Sequence, residues 1–158
     1  MKVRDIMAHN IICISHKASL KDAHELMQTR GVRHLPVISE DDGTLVGILT
    51  HKKMISTVIS MINKYGTDIL ARKERGQLIE DLMESDFQKL TEDEPLKIVV
   101  EYFIGNKLGC LPVLDNQNKV IGICILKTSD AADERANLKY WWSRQNKKKN
   151  NQEQEEAR

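Results

Sequence analysis

Apolar residues along the chain fall into short continuous runs and into spaced stripes, and the two patterns predict different elements. Apolar runs over residues 35–38 and 45–49 flank a polar turn that ends at Gly43, which predicts a β-hairpin. Similar runs over residues 111–114 and 120–125 predict a second hairpin. The chain is therefore expected to contain two hairpins of closely similar design.

Stripes of apolar residues at helical spacing predict a helix ahead of each hairpin. Ser19 with Asp22 resembles a capping box that starts the first helix, and Gly31 can close its end. Pro95 suits the first position of the second helix, and Gly105 marks its stop. The two stripes are Leu20, Ala23, Leu26 and Met27 in the first helix, and Leu96, Val99, Val100 and Phe103 in the second.

Further elements are expected on either side of these helices and hairpins. Short apolar strands are predicted at residues 11–14 and 87–90, just ahead of the two helices. A second helix is predicted after each hairpin, and in the later half of the chain it falls at about residues 131–142. Its counterpart in the earlier half has an apolar face formed by Met54, Ile55, Val58, Ile59 and Ile62.

The later half of the chain repeats the earlier half in order. Asp5-Ile6-Met7 recurs as Asp81-Leu82-Met83, and Leu35-Pro36-Val37 recurs as Leu111-Pro112-Val113. The repeated unit is β-α-β-β-α, so the fold class is α+β. A three-stranded sheet with one apolar face is too small to stand alone. The two repeats are therefore expected to pack sheet to sheet with pseudo-two-fold symmetry.

The repeat also predicts how the chain is divided. Repeat 1 is assigned to residues 1–62 and repeat 2 to residues 78–142. Residues 63–77 are expected to form a surface connection with a helical turn, because they are rich in charge and contain two glycines. The polar tail, residues 143–158, has few apolar residues and is expected to be disordered.

The ordered combination of these motifs resembles a tandem pair of CBS domains, also called a Bateman module. The features that carry the resemblance are Asp-Ile-Met ahead of the first strand, the apolar-Pro-Val strand, and the strand end Gly47-Ile48-Leu49-Thr50. It covers residues 1 to about 135. The resemblance implies two clefts between facing repeats, which commonly hold AMP, ADP, ATP or S-adenosylmethionine. It also implies a homodimer that regulates an attached or separate protein.

The strand end of repeat 1 keeps part of the nucleotide-binding pattern implied by the resemblance, Gly-x-x-Thr-x-x-Asp. Gly47 and Thr50 match it, but Lys53 stands where the carboxylate would take the ribose hydroxyls. An ammonium group has no acceptor, although it can meet a phosphate. The resemblance also implies phosphate contacts for the basic pair before Leu35 and a base slot at the first strand. The candidate residues of this cleft are Ile11, Ile12, Arg33, His34, Pro36, Thr50 and Lys53.

The corresponding cleft of repeat 2 is the weaker candidate. Gly122 is kept, but Ile125 stands where the threonine is expected and Thr128 where the carboxylate is expected. Phe87, on the predicted first strand, could stack on a base. The candidate residues of this second cleft are Phe87, Gln88, Pro112, Ile125 and Thr128.

Composition narrows the classes of function. The net charge of +1 provides no overall field for nucleic acid or an anionic membrane, and no run approaches the roughly 18 apolar residues of a membrane span. No common catalytic motif is present, and the five histidines show no metal-ligand spacing. We therefore expect a cytoplasmic, non-catalytic protein that needs no cofactor or metal. The scattered Cys13, Cys110 and Cys124 are interpreted as buried free thiols.

Two functions are favoured by the sequence, and a weaker third is the binding of single-stranded nucleic acid, against which the near-neutral charge argues. The first is a stand-alone regulatory module that binds an adenosine nucleotide in one cleft and signals to a partner. The second is a ligand-free scaffold for dimerisation or protein docking, because neither repeat keeps the ribose-binding carboxylate. Purely structural alternatives also stay open for these residues: Thr50 as a strand end, Lys53 as a solvated lysine, Arg33 and His34 as surface charges, and Phe87 as a core residue. The adjacent Trp141 and Trp142 are expected to cover a subunit contact or the protein's own core.

Overall fold

The computed structural model of the chain describes residues 1–105 and 109–125. Helices and strands are mixed along the chain, which confirms the predicted α+β class. The helix predicted at residues 131–142, the paired tryptophans and the polar tail lie outside the described residues. The elements are α1 (Val3–Ile6), β1 (Ile14–Ser15), α2 (Leu20–Arg30), β2 (His34–Ile38), β3 (Leu45–Thr50), α3 (His51–Tyr65), α4 (Leu70–Gly76), a 3₁₀ turn (Ile79–Asp81), α5 (Leu96–Gly105), β4 (Cys110–Leu114) and β5 (Val120–Ile125).

Both predicted hairpins form. β2 and β3 pair antiparallel, and β1 pairs parallel with β2 at Ile14–Val37, so the sheet has the order β1-β2-β3. The β2–β3 register shifts between Val37 and Ile38, which marks a bulge or irregularity beside the turn. β4 and β5 form a separate two-stranded sheet.

The first strand predicted for each repeat is wrong in extent. Only Ile14 and Ser15 form β1, although the prediction began at Ile11. Residues 87–90 form no strand, and Leu90 alone makes a parallel bridge, to Val113. Leu90 is also the one fully buried residue of that segment, whereas Phe87 is half-buried and the two polar residues between them are exposed, so the segment does not bury a continuous apolar face against a partner strand.

The predicted start and end of α2 are both confirmed. The Ser19 hydroxyl accepts a hydrogen bond from the Asp22 amide, and the Asp22 carboxylate accepts one from the Ser19 amide, at 3.2 and 3.0 Å. Gly31 closes the helix in the left-handed region, with φ 66°. The predicted start of α5 is one residue off, because α5 begins at Leu96 and Pro95 precedes it.

The core of this part of the chain lies between one face of the β1–β3 sheet and the helices. Leu35, Val37 and Leu49 are fully buried and share a cluster with side chains of α2 and α3. Ile59, predicted for the apolar face of α3, is instead 53% exposed. That helix turns only part of its apolar surface to the core, through Met54 and Val58, with Ile55 and Ile62 packed at the margin.

The described chain divides into two compact units, and each draws on both halves of the sequence. The first-repeat unit comprises His9–Phe87 and Leu114–Ile121. The second-repeat unit comprises Met1–Ala8 with the described parts of Gln88–Val113 and Gly122–Arg158. These groupings do not follow the predicted boundary between residues 62 and 78.

The second-repeat unit contains the first eight residues of the chain. The amide of Val3, a fully buried residue, donates to the Glu94 carbonyl at 2.9 Å. Ala8 and Ile123 exchange two backbone hydrogen bonds, so residue 8 adds to the free edge of β5. A Cβ placed on Gly122 would stand 2.4 Å from the Met7 sulfur, which means that Met7 lies directly on the β5 backbone.

The first-repeat unit shows the same arrangement on β3. Glu84 and Ile48 exchange two backbone hydrogen bonds, of 2.8 and 2.9 Å. A Cβ placed on Gly47 would stand 2.4 Å from the Met83 sulfur. The Met of each repeated Asp-Ile-Met or Asp-Leu-Met motif therefore packs on the glycine of a hairpin strand.

The segment predicted as a surface connection is more structured than a single turn. α3 runs to Tyr65, and α4 occupies seven residues, Leu70–Gly76. Leu70 packs against the core cluster, and Glu74 is only 6% exposed. The Glu74 carboxylate lies 3.0 Å from Nδ1 of His24 on α2, and this contact explains how a carboxylate can be buried there.

Candidate functional site

Thr50 is both the last residue of β3 and the N-cap of α3. Its hydroxyl oxygen accepts a hydrogen bond from the Lys53 amide at 3.1 Å. This satisfies one of the unpaired amides at the start of the helix. The hydroxyl proton is not used in this contact, so Thr50 can still donate a hydrogen bond to a ligand oxygen.

Three of the predicted site residues lie on one face of the sheet. His34 pairs with Thr50 and Pro36 pairs with Ile48 across the β2–β3 ladder. The residues between them, Leu35 and Leu49, point into the core. Because side chains alternate between the faces of a strand, His34, Pro36 and Thr50 share the face opposite that core. Ile48 belongs to the same face, although it is not among the residues predicted for the cleft.

His34 is a neutral group at this face rather than part of a cationic cluster. Burial lowers the pKa of its imidazole, and the charge of Arg33 lowers the same pKa further. Nδ1 of His34 is inaccessible to water and has no hydrogen-bond partner among the described residues. His34 therefore adds no positive charge to this face, and positive charge must come from other residues.

The positive charge comes from the first turn of α3. His51, Lys52 and Lys53 follow Thr50 directly and are exposed, and the turn contains no acidic residue. The His51 amide donates to the carbonyl of Arg33, also exposed, at 2.8 Å. Within residues 1–105 and 109–125, the side chains of Arg33, Lys52 and Lys53 form no ion pair with a described residue. Cations at a helix N-terminus are unfavourable by roughly 0.3–1 kcal/mol each, and a bound anion would offset this cost.

The remaining candidates of this cleft are the two isoleucines before β1. Both are half-buried. Ile12 packs at the margin of the core cluster, beneath the sheet face opposite Thr50. Ile11 is not part of that cluster, so it is the better placed of the two for an apolar contact with a ligand.

The candidate residues of the second cleft offer fewer polar groups. Ile125 is 41% exposed at the end of β5, where repeat 1 has Thr50. Pro112 is buried within β4, and Gln88 is exposed. Phe87 is half-buried, and Thr128 lies outside the described residues. Among the described members of this set, Gln88 is the only one with a polar side chain.

Burial favours the protonated form of all three thiols. Burial raises the pKa of Cys110 to about 12 and that of Cys124 to about 11. Cys13 is half-buried, and burial raises its pKa as well. Within the described part of the chain, no group of three or more His, Cys, Asp or Glu side chains is placed to hold a metal ion. No helix in that same part combines the length and the apolarity required to cross a bilayer.

Comparison with known proteins decides the family. The model of the CBS domain matches residues 3–60 and again residues 79–127. The chain belongs to the CBS-domain family. The two matches confirm the repeat that the sequence predicted. CBS pairs are also the proteins whose solved structures the chain resembles, which confirms the predicted fold class.

Two of these CBS-pair structures contain adenosine compounds. CBSX2 in complex with AMP is 26% identical, with a TM-score of 0.64 over 87% of this chain and 98% of that chain. The CBS domain pair of protein MJ0100, in complex with 5′-methylthioadenosine and S-adenosyl-L-methionine, is 26% identical. Its TM-score is 0.62 over 79% of this chain and 89% of that chain.

Among curated proteins, the chain resembles a region of larger enzymes. Inosine-5′-monophosphate dehydrogenase from Methanocaldococcus jannaschii is 26% identical over 126 residues, which are 80% of this chain and 22% of that protein. The chain spans about a fifth of the length of the first curated relatives that it matches. The activities of those enzymes are therefore not transferred to this chain by the similarity.

Proposed function

We propose that the chain is a non-catalytic regulatory module that binds an adenosine nucleotide at the Thr50 end of β3. The observation that carries this proposal is the arrangement of His34, Pro36 and Thr50 on one sheet face, next to the basic first turn of α3. The apolar parts of this face would receive the base. The free donors of Thr50 and of the α3 turn would receive phosphate oxygens.

The CBS pairs that bind AMP, S-adenosylmethionine and methylthioadenosine support the class of ligand. Lys53 refines it, because an ammonium group at the place of the ribose-binding carboxylate favours phosphate over the ribose diol. We infer that ATP and ADP bind more tightly than AMP, and AMP more tightly than S-adenosylmethionine. The ligand would act by binding one conformation of a cytoplasmic homodimer better than another, and a regulated partner would respond to that change.

Isothermal titration calorimetry with ATP, ADP, AMP and S-adenosylmethionine tests the proposal. Lys53→Gln is expected to weaken ATP binding about tenfold, equivalent to about 1.4 kcal/mol, and to affect AMP less. Lys64→Gln, at the other end of α3, changes the net charge equally and should leave every affinity within about twofold. The absence of heat and of a thermal shift at millimolar concentrations of all four ligands would overturn the nucleotide-binding function.

A second function, a ligand-free scaffold, is favoured by the loss of the carboxylate in both repeats. Lys53 and Thr128 occupy the two positions in the sequence, and the acceptor of Thr50 is already used to cap α3. In this case the protein would form a dimer by light scattering, and no nucleotide would change its melting temperature.

A further inference from the structure

Met83 lies closer to the strand β3 than any residue other than glycine at position 47 would allow. A Cβ on Gly47 would stand 2.4 Å from Sδ, 2.7 Å from Cγ and 3.1 Å from Cβ of Met83. Real Cβ atoms do not approach other atoms to 2.4 Å, so the methionine occupies the space that a larger residue would need. The Gly47 position of the nucleotide-binding pattern therefore has a packing role three residues before Thr50.

The backbone beside Met83 fixes the same strand. Glu84 and Ile48 donate to each other's carbonyls, at 2.8 and 2.9 Å. Since β2 pairs along the other edge of β3, the strand is held on both edges next to its end. Among the described residues, the strand partner of Thr50 is His34 on the β2 side, so the position of Thr50 depends on how firmly residues 47 and 48 are held.

We propose that Met83 and Glu84 are positioning residues for the nucleotide site at Thr50. This inference rests on the proposed function and assigns the segment before repeat 2 a part in it. The segment sets the position of the Thr50 hydroxyl and of the first turn of α3 without touching the ligand. Coupling is reciprocal. Bound nucleotide therefore stabilises the attachment of residues 83 and 84 to β3.

The second-repeat unit supplies a matched control. A Cβ placed on Gly122 would stand at the same 2.4 Å from the Met7 sulfur, and Ala8 and Ile123 exchange hydrogen bonds of 2.8 and 3.1 Å. β5 then ends at the exposed Ile125, whose side chain has no hydrogen-bond donor for a nucleotide. Truncation of Met7 disturbs the same kind of contact without acting on Thr50.

The test measures ATP affinity by calorimetry and amide exchange of residues 45–50 and 82–86 by mass spectrometry, with and without ATP. Met83→Ala is expected to weaken ATP binding five- to twentyfold and to abolish the slowing of exchange by ATP at residues 82–86. Met7→Ala should change ATP affinity less than twofold. Met83→Leu, which refills the space, should stay within threefold of the native chain. If Met83→Ala does not fold, as judged by circular dichroism, Met83→Val replaces it with the same expectation.

The outcomes separate this inference from the proposed function. If the native chain binds no nucleotide, the proposed function is overturned and the positioning role with it. If the native chain binds ATP but Met83→Ala and Met7→Ala lose affinity equally, or neither loses any, only the positioning role is overturned. ATP binding that leaves exchange at residues 82–86 unchanged in the native chain also contradicts it.

Discussion

Nδ1 of His24 lies 3.0 Å from Oε1 of Glu74, and this contact joins α2 to α4 across 50 positions of the sequence. Glu74 is 6% exposed, so its carboxylate is removed from water and depends on this contact. Through this pair, the charged segment at residues 63–77, which was predicted to be a surface connection, packs as part of the first-repeat unit.

Loss of His24 is therefore expected to destabilise the protein. His24→Ala leaves the buried carboxylate without its imidazole partner, and the cost should be about 1–3 kcal/mol of unfolding free energy. Glu25→Ala, at the next position of α2, removes an exposed ion pair with Lys21 and should cost about 0–1 kcal/mol. Urea unfolding of both variants measures the difference, and equal losses would contradict the role of the buried pair.

Thr50 should contribute to stability apart from any ligand. Thr50→Ala removes the acceptor for the Lys53 amide, and the expected loss is about 1 kcal/mol of unfolding free energy. Thr50→Ser keeps an oxygen that can cap α3 and should recover most of the loss. Thermal unfolding without nucleotide measures the loss of stability alone. The nucleotide-binding defect of Thr50→Ala can then be separated from this loss of stability. A native melting temperature for Thr50→Ala would show that the cap is dispensable.

Stability should fall on acidification because of His34. Burial and the Arg33 charge lower the pKa of His34 in the folded chain from 6.5, so below that pH the unfolded chain binds more protons. The contribution is complete above pH 6.5 and is lost as the pH falls toward the pKa of the folded state. Urea unfolding at several pH values should show a shallower loss for His34→Gln, whose side chain does not titrate. Parallel curves for the two proteins would rule out this source of pH dependence.

Asn118 should be sensitive to side-chain shape because its φ is 62° and its carbonyl accepts a hydrogen bond from the Leu45 amide at 3.0 Å. Asn118→Val places a β-branched residue in the left-handed region, at a cost of about 1–2 kcal/mol. Asn118→Gly should stay within about 0.5 kcal/mol of the native chain, since glycine adopts this conformation freely. Chemical denaturation measures both, and a native-like Asn118→Val would show that the turn can rearrange.

The thiols should differ in their reaction with Ellman's reagent. Burial raises the pKa of Cys110 and Cys124 to about 12 and about 11, so both should react only after unfolding in urea. Cys13 is half-buried and should be the first to react in the folded protein. Rapid reaction of all three thiols without urea would contradict the burial of the two strands that contain Cys110 and Cys124.

Local signals in the sequence predicted the local structure well. The capping box at Ser19 and the left-handed Gly31 define α2, and apolar runs around short turns define both hairpins. The same signals overestimated the length of the strands before α2 and α5, because a run of apolar residues does not indicate whether a partner strand lies beside it. In the run at residues 87–90, the described β-pairing is a single bridge from Leu90 to Val113.

The candidate site was predicted in part. The register of β2 and β3 places His34 opposite Thr50, as expected from a short hairpin whose residues alternate between two faces. The contacts of Met83 with Gly47 and of His24 with Glu74 join residues that are far apart in the sequence. Hydrophobic periodicity predicts local elements and cannot predict such contacts. The recurrence of Asp-Ile-Met as Asp-Leu-Met was the one sequence signal that pointed to the methionine.

Each compact unit contains residues from both halves of the sequence, so a sequence repeat and a folding unit do not have the same boundaries. The outer edge of β3 is completed at residue 84, and the Leu45 amide finds its acceptor at residue 118. As the chain leaves the ribosome, the first-repeat unit cannot finish folding when its own repeat has been made. It must wait for most of the second. If the gene were divided between the repeats, each half would therefore lack strand-edge contacts that the other half supplies. Mixing the two halves is expected to restore those contacts and the folded state.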